Sequence, residues 1–201
     1  MNTSVRSTER AGELIDDLPS LLRMMGRSEM RRTVIDMSRL VLETLGNLKP
    51  ETGGRNISWK IGELPEVRGD PSMLRLVLQN LLSNAIEYTR SRERARIEVG
   101  ADAKGADEAV FFVRDNGVGL DMQHAEQLFD VFQRLHGAEE FEGAVIGLAA
   151  DRRIVQRHGG RVWAEGRVGG GATFYFSLPA GRDGPPKSLR QHASSACLNR
   201  Q

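Results

Sequence analysis

The chain has 201 residues, 39% of them hydrophobic and 27% charged, with a formal net charge of +1. That length suits one substantial domain with short appendages, and the near-neutral balance argues against the clustered Lys and Arg excess of a nucleic-acid-binding surface. A single cysteine, Cys197, excludes a disulfide framework and points to a reducing, cytoplasmic setting; the apolar runs fall short of a membrane span, and Met1–Arg10 lacks the apolar core of a signal peptide.

From Ala11 to Met25, Leu14, Ile15, Leu18, Leu21, Leu22 and Met25 recur at three and four, the stripe of an amphipathic helix that Pro19 should kink or break. A second helix is predicted over Asp36–Leu48. Alternation at Ile57, Trp59 and Ile61 predicts a strand with one buried face. Asp70-Pro71 supplies an N-cap followed by proline at the first helical position, and the helix it opens should run to Tyr88. Strands follow at Ala95–Gly100 and Ala109–Arg114. A glycine-punctuated stretch then leads to a helix at Gly147–His158, stopped by Gly159-Gly160, with a short helix expected near Ala125–Phe132. Strands at Arg161–Glu165 and Thr173–Leu178 close the domain. Beyond Pro179 the Gly, Pro, Ser and charge mixture should be disordered. The order predicts an α/β two-layer sandwich, a mixed sheet of about five strands with about three helices on one face.

Glycine is over-represented, 22 residues where roughly 7% of a chain is usual. Eleven fall between Gly117 and Gly171, among the segments able to carry chemistry. Asn80 and Asn84 are four apart on a predicted helix and project from one face. Amides are poor bases but good oxygen donors to a hard cation such as Mg²⁺. Asp115 emerges at a strand end, with Gly117 and Gly119 letting backbone pass beside it. Gly143 to Gly147 leads into a helix, where backbone N–H groups can cradle phosphate. Taken singly, the Asn pair equally fits a polar helix stripe, Asp-x-Gly-x-Gly is more often a turn than a site, and the Gly143–Gly147 loop is weak evidence.

In this order the segments resemble the ATP-binding catalytic domain of sensor histidine kinases, within the gyrase, Hsp90, histidine kinase and MutL superfamily, and are most similar to the kinase modules of bacterial phytochromes. The likeness covers about Leu14 to Pro179. Asn80…Asn84 matches the N box, Asp115-Asn116-Gly117-Val118-Gly119 the first glycine box, and Phe129–His136 the phenylalanine box. Gly143…Gly147-Leu148-Ala149 matches the second glycine box, and Gly169–Phe174 the last. The resemblance implies a Bergerat-type fold over residues 31–179, preceded at 1–30 by a remnant of the second dimerisation-hairpin helix and followed by a tail at 180–201. It implies that Asn80 and Asn84 hold Mg²⁺ and that Asn80 and Arg134 assist phosphoryl transfer. Asn84, Glu87, Tyr88, Asp115, Gly117, Gly119, Gly143, Gly147, Leu148 and Thr173 would bind ATP, with Asp115 accepting from the adenine amino group and Thr173 beside the base. Residues 118–147 would form a mobile lid. Expected partners are ATP and a protein carrying the phosphoacceptor histidine or a response regulator, with no nucleic acid and no membrane; the helix at 14–25 would support a homodimer.

The sequence departs from the family pattern at four points. His124, His136, His158 and His192 all lie away from the hairpin remnant, so no self-acceptor is expected. Val145 stands where a central glycine is usual, and a β-branched residue at positive φ is an outlier, so nucleotide binding should be weakened. Asp151 falls on the apolar stripe of its helix, where a carboxylate destabilises unless paired or exposed. Glu87 replaces a common lysine on the Asn80 and Asn84 face. In the ATPases of the superfamily a glutamate stands at the Asn80 position and activates water, so hydrolysis here should be slow. Two readings stay open: a kinase-type domain that transfers phosphate to a histidine in trans, or a degenerate, non-catalytic kinase-like protein-interaction module. A serine/threonine kinase of the anti-sigma-factor type and a gyrase-like ATPase fit less well. His158 reads as a dipole-favoured helix end, Trp59 and Trp163 as packing residues, and Phe129 and Phe132 as lid pins.

Overall fold

A computed structural model describes residues 30–103, 108–124, 127–129 and 142–180. The hairpin remnant, the tail with Cys197, the short helix expected at Ala125–Phe132, Phe132, Arg134 and His136 lie wholly or largely outside the described residues.

Strand β1 (Thr33–Asp36) leads directly into helix α1 (Met37–Thr52), which Asp36 caps by accepting from the Arg39 amide at 3.0 Å. Strand β2 (Ile57–Ile61) and strand β3 (Glu66–Gly69) precede helix α2 (Pro71–Tyr88). Asp70 Oδ1 accepts from the Ser72 and Met73 amides, the capping expected of Asp-Pro. Strands β4 (Ala95–Ala103) and β5 (Glu108–Asp115), helix α3 (Glu142–Arg157), and strands β6 (Val162–Arg167) and β7 (Gly171–Pro179) complete the order, with 3₁₀ turns at Met122–His124 and Gln127–Phe129.

The main sheet has the order β2-β4-β5-β7-β6. Only β2 and β4 run parallel and the other neighbours are antiparallel, so the sheet is mixed, as the sequence predicts, and mainly antiparallel. A two-stranded antiparallel ribbon, β1 with β3, was not foreseen. The helices cover one face. Leu74, Leu78, Leu82 and Ile86 of α2 meet Ile97, Phe111 and Phe176 of the sheet, all nearly inaccessible to water. Phe111 and Phe176 stack at 5.0 Å between ring centroids. On the uncovered face Trp163 stacks on Tyr175 at 5.1 Å beneath the Arg161 guanidinium, while Trp59 packs against the edge of the core. None of the described helices is long and apolar enough to cross a membrane.

Candidate functional site

Helix α2 lies on the sheet between α1 and α3, with its polar positions along one edge. Asn80 is half-buried and Asn84 is buried one turn later; Glu87 and Tyr88 follow at the C-terminal end, both half-buried. Burial and the negative charges of Glu87 and Asp115 push the Tyr88 phenol up to about 12, so it remains a neutral donor. The Arg55 side chain closes this end of α2, donating to the Ile86 carbonyl at 2.7 Å and the Thr89 carbonyl at 2.6 Å.

Asp115 ends β5 on the helix-facing side and is buried. Its Oδ1 accepts from the Gly117 amide at 2.7 Å, and the Ala172 amide also donates to the carboxylate. Burial pushes this carboxyl up, while the two amides and the Arg92 charge pull it back. Oδ2 is buried with no partner among the described residues, and so is Asn84 Nδ2. Buried polar atoms are ordinarily satisfied, and an orphan acceptor on β5 with an orphan donor on α2 is the kind of pair a polar ligand would satisfy.

The glycines around Asp115 serve backbone packing. Gly119 and Gly171 have φ of 75° and 86°, and a Cβ on either would collide with the backbone of Arg167 or of Asp115. Arg92 locks the same region, donating to the carbonyls of Asn116 at 2.7 Å, Gly117 at 2.9 Å and Gly169 at 2.7 Å. Nothing in the sequence distinguishes Arg92 from its many arginine neighbours. Ala172 was missed because its contribution is a backbone N–H, which residue type does not reveal.

Thr173 is placed differently from expectation. It pairs with Arg114, and its hydroxyl accepts from Arg114 Nε at 3.3 Å on the uncovered sheet face, whereas neighbouring Ala172 faces Asp115. Strand alternation separates the two faces by one residue.

Helix α3 begins at Glu142, five residues before the expected start, so residues 143–147 are helical and the open phosphate loop is not present. No described non-glycine residue has positive φ, so the strain expected at Val145 is not realised. Leu148 is buried in the core. Asp151 is only 1% exposed and accepts at Oδ1 from Asn80 Nδ2 at 2.9 Å; the same Nδ2 donates to the Gly147 carbonyl at 3.2 Å. Burial pushes the Asp151 carboxyl well above the usual range. Phe129 is buried edge-on against Phe174. The structure therefore groups Tyr88, Asp115, Gly117 and Ala172 at one end of α2 and Asn80, Gly147 and Asp151 nearer its middle, with Asn84 one turn beyond Asn80.

Residues 69–182 match the family described as histidine kinase-, DNA gyrase B-, and HSP90-like ATPase. The chain is 39% identical over 146 residues to cyanobacterial phytochrome A of Nostoc sp., covering 73% of this chain and 19% of that protein. It is 40% identical over 141 residues to the methanogenesis regulatory histidine kinase FilI of Methanothrix harundinacea, covering 70% and 16%. The chain spans about a fifth of the length of the phytochromes it matches. Among solved structures, full-length ShkA in complex with AMPPNP aligns with a TM-score of 0.70 at 26% identity, over 87% of this chain and 37% of that one. The nucleotide-free catalytic domain of histidine kinase ThkA aligns with a TM-score of 0.63 at 26% identity, over 75% and 96%.

Proposed function

This chain belongs to the histidine kinase-, DNA gyrase B- and HSP90-like ATPase family, and we propose that within it the chain is the ATP-binding catalytic domain of a two-component sensor histidine kinase, binding Mg-ATP for transfer to a histidine supplied in trans. One observation carries this proposal. Asp115 Oδ2 and Asn84 Nδ2 are a buried acceptor and a buried donor without partners among the described residues, in the chemistry that an exocyclic adenine amine and a phosphate oxygen would satisfy. Asn80 fits Mg²⁺ in kind, because both of its amide protons face α3 acceptors and its oxygen is left over.

Mg²⁺ would supply charge neutralisation in phosphoryl transfer. The chain's own residues would bind and orient. Asp115 accepts from the base, Asn84 donates toward phosphate, and the locked Gly117 and Gly119 segments shape the floor. Tyr88 and Glu87 would act from the end of α2, and Arg134, outside the described residues, toward the terminal phosphate. Asn80 is an amide and no base, so ATP would be conserved for transfer to a protein side chain. Val145 stands where the family usually has glycine and would weaken nucleotide binding. The single cysteine suits a cytoplasmic setting, and residues 14–25 would pair two copies, which light scattering tests.

Calorimetry with Mg-ATP, followed by incubation with labelled ATP and a candidate acceptor protein, tests the assignment. Asp115→Asn turns an acceptor into a donor and should weaken binding at least about tenfold, ~1.4 kcal/mol, with the fold retained. Val145→Gly should strengthen binding. The alternative, a non-catalytic interaction module, is favoured by the helical state of residues 143–147. Absent ATP binding in both the parent and Val145→Gly would select it.

A further inference from the structure

We propose that Asp151 is a positioning residue for Asn80, fixing the amide of the metal-binding pair so that its carbonyl oxygen is the atom presented to a cation. This rests on the proposed nucleotide site and adds to it a residue whose sequence position reads only as a defect in an apolar stripe.

Asp151 sits on the face of α3 that carries Leu148, Ile154 and Val155, all buried. Its hydrogen-bonding partner among the described residues is Asn80, at 2.9 Å, and its second oxygen has none. A hydrocarbon would suit this environment better, since burying a polar group with half its capacity unmet costs stability. What the carboxyl does provide is an acceptor one helical turn beyond the Gly147 carbonyl, and the two together take both protons of the Asn80 amide. Gly147 permits the approach, because a Cβ there would lie 3.3 Å from Asn80 Cγ. Rotating the amide by half a turn would set its oxygen against two acceptor oxygens. The orientation is therefore fixed, and it ties a ligand group on α2 to α3. The ionised carboxylate can only accept; the neutral carboxyl keeps a lone pair on the bonded oxygen, and the Gly147 carbonyl opposes the rotated amide in either charge state.

The test compares Asp151→Leu with Asp151→Asn in the 201-residue chain. Asp151→Asn keeps an acceptor oxygen; Asp151→Leu keeps none. In the nucleotide-free protein, the side-chain amide protons of Asn80, assigned as those lost in Asn80→Ser, should be protected from solvent exchange in the parent and in Asp151→Asn, and exchange faster in Asp151→Leu. Calorimetry with AMPPNP, with and without Mg²⁺, should show the gain in affinity from Mg²⁺ reduced at least about fivefold in Asp151→Leu and restored in Asp151→Asn, while Asp151→Leu unfolds at equal or higher urea. A purely structural Asp151 would leave the Mg²⁺ gain untouched. Unchanged amide protection with an unchanged Mg²⁺ gain overturns the proposal. If no variant, the parent included, binds AMPPNP, the kinase assignment fails, and the amide exchange by itself decides the positioning. Should leucine overfill the site, Asp151→Ala carries the same outcomes.

Discussion

His158 directly follows α3 with an imidazole that is 3% exposed, and both ring nitrogens are engaged. Nε2 accepts from the Asp70 amide at 3.0 Å, which leaves Nδ1 to donate to the Ile154 carbonyl at 2.8 Å. The neutral tautomer is therefore built in, and burial lowers its pKa, the charges of Arg32 and Arg157 adding to the effect against Asp70 and the Ile154 carbonyl. The sequence position suggests an imidazolium favoured by the helix dipole. The structure corrects this, because the decisive partner lies 88 residues away. With the folded pKa below the ordinary 6.5, the unfolded chain binds the proton first as pH falls. The stability contribution is present above about pH 6.5 and is lost toward the lower folded pKa, with a slope of at most about 1.4 kcal/mol per pH unit. Urea unfolding of the parent and of His158→Gln from pH 8 to 5 checks it: the parent should lose more stability across that window than the variant, whose side chain does not titrate.

At the scale of elements, both bounds of α2, Pro71 and Tyr88, were legible, but the contact that holds its C-terminal end was not. Asp70-Pro71 is a local signal, the cap and the residue it caps being neighbours. The end depends on Arg55, thirty-one residues upstream of Ile86, whose guanidinium holds the last carbonyls. Arg55→Ala should cost about 1 to 2 kcal/mol in urea unfolding and accelerate amide exchange in the last turn of α2, where Glu87 and Tyr88 sit. Helix α3 shows the converse. Gly143 and Gly147 each weigh against a helix by about 1 kcal/mol, which predicts a loop. Packing of the helix against α2, with Gly147 against the Asn80 side chain and Leu148 in the core, reverses that preference. The ribbon of β1 and β3 escaped notice because four-residue strands with exposed Val34 carry little pattern, and their pairing joins segments separated by α1 and β2.

For the molecule as a whole, stability and site share one layer of side chains. The stacked Phe111 and Phe176 lie at the centre of the sheet under α2, in the same β5 and β7 whose ends deliver Asp115 and Ala172. Phe176→Ala should cost about 3 to 5 kcal/mol, measured by urea unfolding, as is usual when a buried phenylalanine is removed. The sequence by itself determined the two-layer fold, because apolar period and helix caps are local properties, and it determined the residue types of the candidate site, because five ordered motifs survive as neighbours along the chain. Only the tertiary structure decided which atoms of those residues are free. It placed Thr173 on the far sheet face and drew residues 143–147 into a helix. It also set Asp151 against Asn80, since hydrogen bonds between segments far apart in sequence leave no trace in the order of residues.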